Sequence, residues 1–253
     1  MLGVAHLTSE GREAIGASHR VFWIGSVPGL AELLADLRIV GEDLSRFYVD
    51  GAADVENYAR IKARILESLA QEHDCTLVVP GHPRVGVTVV QELQVLAATD
   101  NVRLLCYPGI SSFDVMLNDV GLDPLEEGSC VVDANRLILY DYAMEPSLNY
   151  FIYHVCSVGN SRTDYVAPAT TSRSDFLAAK LRKHYPDAQP LSLLSASMKP
   201  GGLPDRIEGT LGNLTGLLRS VTYGHTLFVP ATVPKREQVN WGFLERIRAG
   251  SPA

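Results

Sequence analysis

CTLVVPGHPRVGVTVVQELQVLAA, residues 75–98, runs from a β-branched segment through a loop broken by two prolines and two glycines into an amphipathic stretch. Residues 75–80 read as a buried strand stopped at Pro80-Gly81. The helix that follows is legible only in the second half of 85–98, because its β-branched start has low helix propensity. Working outward, NVRLLCYP (101–108) is predicted as another strand, and SSFDVMLNDVG (111–121) as a helix capped by serine and closed by glycine. Toward the N-terminus, RVFWIG (20–25) reads as a strand. Residues 54–72 read as a helix with Tyr58, Ile61, Ile65 and Leu69 on one face. This βαβα alternation predicts a parallel sheet covered by helices.

The second half has a different rhythm. SCVVDA (129–134), NYFIYHVCSV (149–158), LSLLSA (191–196), RIEGT (206–210) and HTLFVP (225–230) are strand-like, with one strong helix over 171–186 and a short one near 238–248. More strands and fewer helices predict a mixed sheet. The expected fold class is α/β, with two α/β domains, 1–115 and 116–253, and a cleft between them. The N-terminal sheet is expected to be mostly parallel and the C-terminal one mixed.

Composition narrows the function. The chain of 253 residues has 22 Lys+Arg against 29 Asp+Glu, a net charge of −7. That argues against a general nucleic-acid binder, which needs a basic face. No run of about 18 apolar residues suggests a membrane span, and the N-terminus has no secretory pattern. Cys75, Cys106, Cys130 and Cys156 are widely spaced and read as free thiols in a reducing cytoplasm. The seven histidines show no metal-ligand spacing, so no metal is expected. Neither a GxxxxGK[ST] loop, nor a GxSxG elbow, nor a GxGxxG followed by an acidic residue is present.

In parallel α/β sheets, ligands bind beyond the carboxyl ends of the strands. Two such ends are unusual here. The Pro80–Gly86 loop carries glycines that let a ligand approach the backbone, although taken alone the segment reads more simply as an ordinary Pro-Gly turn. YPGISS (107–112) places a glycine and two serines at a helix N-terminus, where an anionic group is favoured. A plain capped helix is the structural alternative.

PGHPRVG (80–86) together with YPGISSFDVMLNDVGLDP (107–124) resembles the tetrapyrrole methylase superfamily, and within it the borosin-type peptide backbone α-N-methyltransferases. The likeness continues through FIYHVCSVGN (151–160), YPDAQPLSLLSASMKP (185–200) and HTLFVPATVPKREQVNW (225–241). It implies an S-adenosylmethionine-dependent methyltransferase with its cofactor in an inter-domain cleft. By this resemblance Pro80, Gly81, His82, Pro83, Val85 and Gly86 wall the cofactor pocket. Ser111 and Ser112 hold the methionine end, His154 is a polar pocket residue, and Ala196 and Thr226 approach the adenosine. Tyr48 and Tyr58 match two tyrosines placed at the target amide. A homodimer is implied, as is a peptide substrate supplied in trans, since only a short helix follows Trp241.

Three positions depart from the family pattern. GVAHLTSEGREA joins it just after its first strand and glycine loop. Pro80 stands where the family has a tyrosine, and Asp54 where it has an arginine. An aspartate there would repel a developing imidate oxyanion but could serve as a general base; capping the helix is its structural alternative. Two rival functions therefore stand beside peptide methylation. One is a same-fold methyltransferase of a small metabolite or tetrapyrrole. The other is a catalytically impaired binding or regulatory homologue.

Overall fold

The computed structural model describes residues 3–72, 74–99, 102–199, 201–233 and 236–249. Strand β1 (Arg20–Trp23) buries both Val21 and Phe22 completely, because helices cover both faces of its sheet. Val21 packs under α1 (Ser9–Gly16) and α2 (Leu30–Leu37). Phe22 packs toward α3 (Asp54–Glu72) and α4 (Thr88–Thr99). β1 is central, paired in parallel with β2 (Val40–Asp43) and β3 (Thr76–Val78). As the spacing predicts, Ile61 and Ile65 of α3 are buried on one stripe, with Tyr58 packed beside them.

α5 (Ser112–Val120) forms as expected. Ser111 and Asp114 make a reciprocal capping box at its start, and Gly121 closes it in the left-handed conformation at φ 68°.

The second sheet has the order β4-β5-β8-β6-β7 and contains β4 (Ser129–Asp133), β5 (Asn149–Tyr153), β6 (Pro190–Ser195), β7 (Asp205–Thr210) and β8 (His225–Val229). Only β4 and β5 run parallel; the other pairs are antiparallel, which makes this sheet mixed. On one face Tyr150, Ile152, Leu193 and Leu227 meet α6 (Ala134–Leu139), α7 (Ser174–Arg182) and α8 (Leu214–Leu217). On the other, Phe151, Leu194 and Phe228 meet Met116 of α5. Period-2 alternation therefore lets one sheet hold its own helices and also grip α5. A last helix, α9 (Trp241–Arg248), carries no buried residue.

One expectation is corrected. The strand anticipated over 101–108 does not form among the described residues; Asn101 lies outside them. Residues 102–107 keep strand-like alternation, with Val102, Leu104 and Cys106 half-buried between exposed Arg103 and Leu105. No backbone hydrogen bond joins them to a strand. Between this segment and the edge of β3 lies a cavity of about 420 Å³. A strand exists only by pairing, and the cavity keeps the nearest edge out of reach.

The cysteines are free among the described residues, and no helix there is long and apolar enough to cross a membrane. Burial holds the His225 imidazole below its usual pKa against the opposing pull of Asp205. Its Nδ1 accepts the Thr222 N–H at 3.0 Å, so protonating the ring would set two donors against each other. A depressed histidine contributes stability above its unfolded value, about 6.5, and that contribution fades as pH falls through the folded value. Urea midpoints should therefore drop between about pH 7 and about pH 5, and His225→Asn should flatten that slope. An unchanged slope would assign the acid sensitivity elsewhere.

Candidate functional site

The carboxyl ends of β3, β4 and β5 converge on one region. Beyond β3, the loop 80–86 contains Gly81 at φ 78° and Gly86 at φ 69°, a conformation that side chains oppose. A Cβ on Gly81 would sit 3.9 Å from Ser111 Cα and from the Ser112 backbone nitrogen. A Cβ on Gly86 would come within 3.0 Å of His154 Nε2. The glycines thus let this loop lie against the α5 N-terminus on one side and His154 on the other. His82 braces the loop from within, its Nδ1 accepting the Arg84 N–H at 3.1 Å and its carbonyl accepting the Val85 N–H at 3.0 Å. Pro83 is half-buried.

His154 follows β5 in the left-handed conformation at φ 56°, which turns its ring toward the end of β4. Its Nδ1 lies 2.6 Å from Asp133 Oδ2. Burial works to raise the Asp133 carboxyl, but the His154 hydrogen bond and the Arg136 and Asn135 backbone groups outweigh it and hold it below the ordinary carboxylate value. Asp133 fixes the ring with Nε2 facing the loop. Sequence reading found His154 but not Asp133. The two are 21 residues apart, and only the β4–β5 register joins them.

On the sheet face that meets α5, Tyr153, Ala196 and Thr226 lie close to the helix N-terminus. The Ser112 and Tyr153 hydroxyls are 2.9 Å apart. Burial raises the Tyr153 phenol, with Ser112 and Thr226 hydrogen bonds opposing it. Ala196 and Thr226 are buried. Ser111 is committed locally: its N–H and its hydroxyl both donate to Asp114 Oδ2, each at 2.6 Å.

The residues anticipated at the substrate separate into two places. Tyr58 packs in the N-terminal core, where burial raises its phenol and Thr88 is its hydrogen-bond partner. Tyr48 and Asp54 stand together and reach across to the second half. Tyr48 donates to Asp54 Oδ1 at 2.8 Å. The Thr163 N–H and hydroxyl donate to the two Asp54 oxygens at 3.1 and 2.9 Å, and the Asp54 N–H donates to Ser161 O at 2.9 Å. Asp54 is therefore a clasp between segments 109 residues apart. Burial raises the Tyr48 phenol, helped by Tyr223 and Asp54. Tyr165 stacks on Tyr223 at 4.7 Å and tilts against Tyr48 at 5.7 Å. A Cβ on Gly25 would meet both Pro80 Cγ (3.2 Å) and the Tyr165 hydroxyl (3.7 Å), so this tyrosine cluster borders the glycine loop. Nothing in the local sequence marked Thr163, Tyr165 or Tyr223.

Removing the Asp54 carboxylate strands three donors. Asp54→Ala should cost about 1–3 kcal/mol in urea unfolding, and a double-mutant cycle with Thr163→Val should show coupling above about 0.5 kcal/mol. Additive costs would mean the clasp contributes nothing.

Two solved structures share this architecture. Uroporphyrin-III-C-methyltransferase from Thermus thermophilus superposes with a TM-score of 0.57 at 18% identity, covering 94% of each chain. Diphthine synthase superposes with a TM-score of 0.55 at 15% identity, covering 99% of this chain and 93% of its own. The fold is that of the tetrapyrrole methylases.

No protein-family model matches the chain. On its tetrapyrrole-methylase fold, the sequence is similar to curated borosin proteins. It is 25% identical over 158 residues to the methyltransferase/ribosomally synthesized type I borosin cyclic peptide precursor of Cerrena unicolor, covering 62% of this chain and 39% of that protein. To the lentinulin A precursor protein of Lentinula edodes it is 21% identical over 248 residues, covering 97% of this chain and 58% of the relative. The chain thus spans less than two thirds of these relatives' length.

Proposed function

We propose that this chain is an S-adenosylmethionine-dependent methyltransferase whose substrate is a peptide, N-methylated on its backbone. The observation that carries the reading is the cradle of Gly81, Gly86 and the α5 N-terminus, on a fold and sequence whose relatives are borosin methyltransferase precursors. The cradle suits the cofactor chemically. Two side-chain-free positions open its wall, Ala196 offers an apolar surface, and Ser112, Tyr153 and Thr226 supply hydroxyls. Gly81, Gly86, Ser112, Ala196 and Thr226 would hold the cofactor, which when bound supplies an electrophilic methyl group on a sulfonium. Ser111 serves this site by fixing the helix end.

Positioning accounts for much of the acceleration in an in-line displacement. Methylating an amide nitrogen forms N–CH3, breaks S–CH3 and releases the amide proton. We assign acceptance of that proton to His154, whose Nδ1 is held by Asp133 and whose Nε2 faces the glycine loop. In this reading the tyrosine cluster around Tyr48 borders the peptide side, and Asp54 holds that border in place rather than acting as a base. Two domains meeting at the cleft and a homodimer complete the proposal.

The test is calorimetric titration with S-adenosylhomocysteine, followed by mass analysis of candidate peptides incubated with S-adenosylmethionine. Saturable binding at one site per chain and a one-methyl mass increase on a backbone amide support the proposal. Binding with methylation of a small metabolite or tetrapyrrole alone would reassign the substrate. Binding with no turnover on either class would leave a regulatory homologue, and no binding at millimolar ligand would overturn the reading.

A further inference from the structure

The second sheet ends at β7, which pairs only with β6. The Leu211 N–H donates to Gln189 O at 2.9 Å, so these opposed residues form a hydrogen-bonded pair. The β6–β7 register continues with Leu191 opposite Gly209, Leu193 opposite Ile207 and Ser195 opposite Asp205. Hydrogen-bonded pairs recur at every second position of an antiparallel ladder. Gly209, Ile207 and Asp205 therefore turn their backbone groups toward β6, while Arg206, Glu208 and Thr210 turn theirs outward. Pro190 fits this assignment, because it lacks an N–H and stands opposite Thr210, where none is needed toward β7. Among the described residues no strand or loop pairs with the outward groups. The Arg206 and Glu208 side chains lie on one face of the strand, 42% and 58% exposed, and form an ion pair with each other. Ile207 lies on the other face and packs against the core that contains Leu214 and Leu217 of α8.

We infer that the β7 edge pairs with the same edge of a second copy of the chain, antiparallel about a two-fold axis at Ile207, so that two five-stranded sheets join into one. The strand DRIEGT (205–210) is complementary to itself in that register. Arg206 then faces the partner's Glu208, and Glu208 faces the partner's Arg206. Both are outward positions, so each pair exchanges both of its backbone hydrogen bonds. At the axis the two Ile207 side chains meet in the closely spaced kind of pair. Other registers fail for physical reasons. A slip of one residue sets outward backbone groups against inward ones. A slip of two sets Glu208 against the partner's Glu208, or Arg206 against the partner's Arg206, and like charges directly opposite destabilise a sheet. Charges that guard an edge repel an incoming strand; these attract a second copy in one alignment. A contact along one short strand is small for a permanent interface, so the dimer should dissociate on dilution. This deepens the homodimer of the methyltransferase reading by giving it a surface, but the pairing itself needs neither cofactor nor peptide.

The test is sedimentation velocity of the intact chain across a dilution series, with urea midpoints as a check on folding. Arg206→Glu and Glu208→Arg each set like charges against each other across the axis, at exposed sites. The unaltered chain should self-associate, and each single variant should do so about tenfold more weakly or worse. An equimolar mixture of the two variants should recover the association, because every opposed pair again has opposite signs. The double variant, Arg206→Glu with Glu208→Arg, should recover it alone. Glu208→Pro removes an outward N–H and no bond to β6, so it should block association without unfolding the sheet. Three results would overturn the inference. These are a monomer at every concentration (an edge that is only guarded), equal association in the single variants (a dimer through another surface), or a mixture no stronger than its components. No ligand enters the measurement, so its outcome is separate from that of the S-adenosylhomocysteine titration.

Discussion

Gly81→Val should weaken binding of S-adenosylhomocysteine at least tenfold while leaving the chain folded. Gly81 sits at φ 78°, and its Cβ direction points at Ser111 Cα and the Ser112 nitrogen, 3.9 Å away. A valine there adds two methyl groups to the space between the loop and the helix end. It also holds a β-branched residue in the left-handed region, at a backbone cost of about 1–2 kcal/mol. The loop relieves that cost by moving, and each 1.4 kcal/mol of lost complementarity is about tenfold in affinity. Gly51 is the control. It has the same φ of 78° and nothing within 4 Å of its Cβ position, so Gly51→Val carries the strain without filling a cradle. Calorimetry should show at least a tenfold loss for Gly81→Val and little change for Gly51→Val. Equal affinities in the two variants would remove the cofactor from this cradle.

The second large effect is on stability. Phe151→Ala should lower the unfolding free energy by about 3–5 kcal/mol, the usual range for a large aromatic removed from a core. Phe151 is fully buried at the centre of β5, edge-on to Phe113 of α5 at 5.0 Å and tilted against Phe228 of β8 at 4.9 Å. With Leu194 and Phe228 it holds α5 against the second sheet, so its loss leaves a cavity under the helix whose N-terminus forms part of the site. Against a typical total of about 5–15 kcal/mol, that is a large fraction. The urea midpoint should fall with the slope unchanged. Phe151→Leu, which keeps most of the volume, should cost far less. A loss below about 1 kcal/mol for the alanine variant would mean that the sheet and helix repack without this contact.

Much of the cleft could be read from local sequence. Pro80-Gly81 marks the end of β3, and Ser111, Asp114 and Gly121 bracket α5, because caps and turns involve residues only a few positions apart. His154 was reachable only through the family likeness. Asp133, Thr163, Tyr165 and Tyr223 carried no signal, since each acquires its role from a partner distant in the chain.

By itself the sequence determined where several of the strands and helices lie, which face of α3 is apolar, and that glycines interrupt the passage out of β3. Periodicity and capping are written within a turn or two of chain. Only the tertiary structure decided that Asp54 is held by Thr163, that Asp133 orients His154, and that 102–107 faces a cavity instead of a neighbour. A carboxylate is a base or a clasp according to which donors surround it. An extended segment is a strand only when another backbone lies within hydrogen-bonding distance. Both conditions are set by groups that the fold brings together from far apart in the chain.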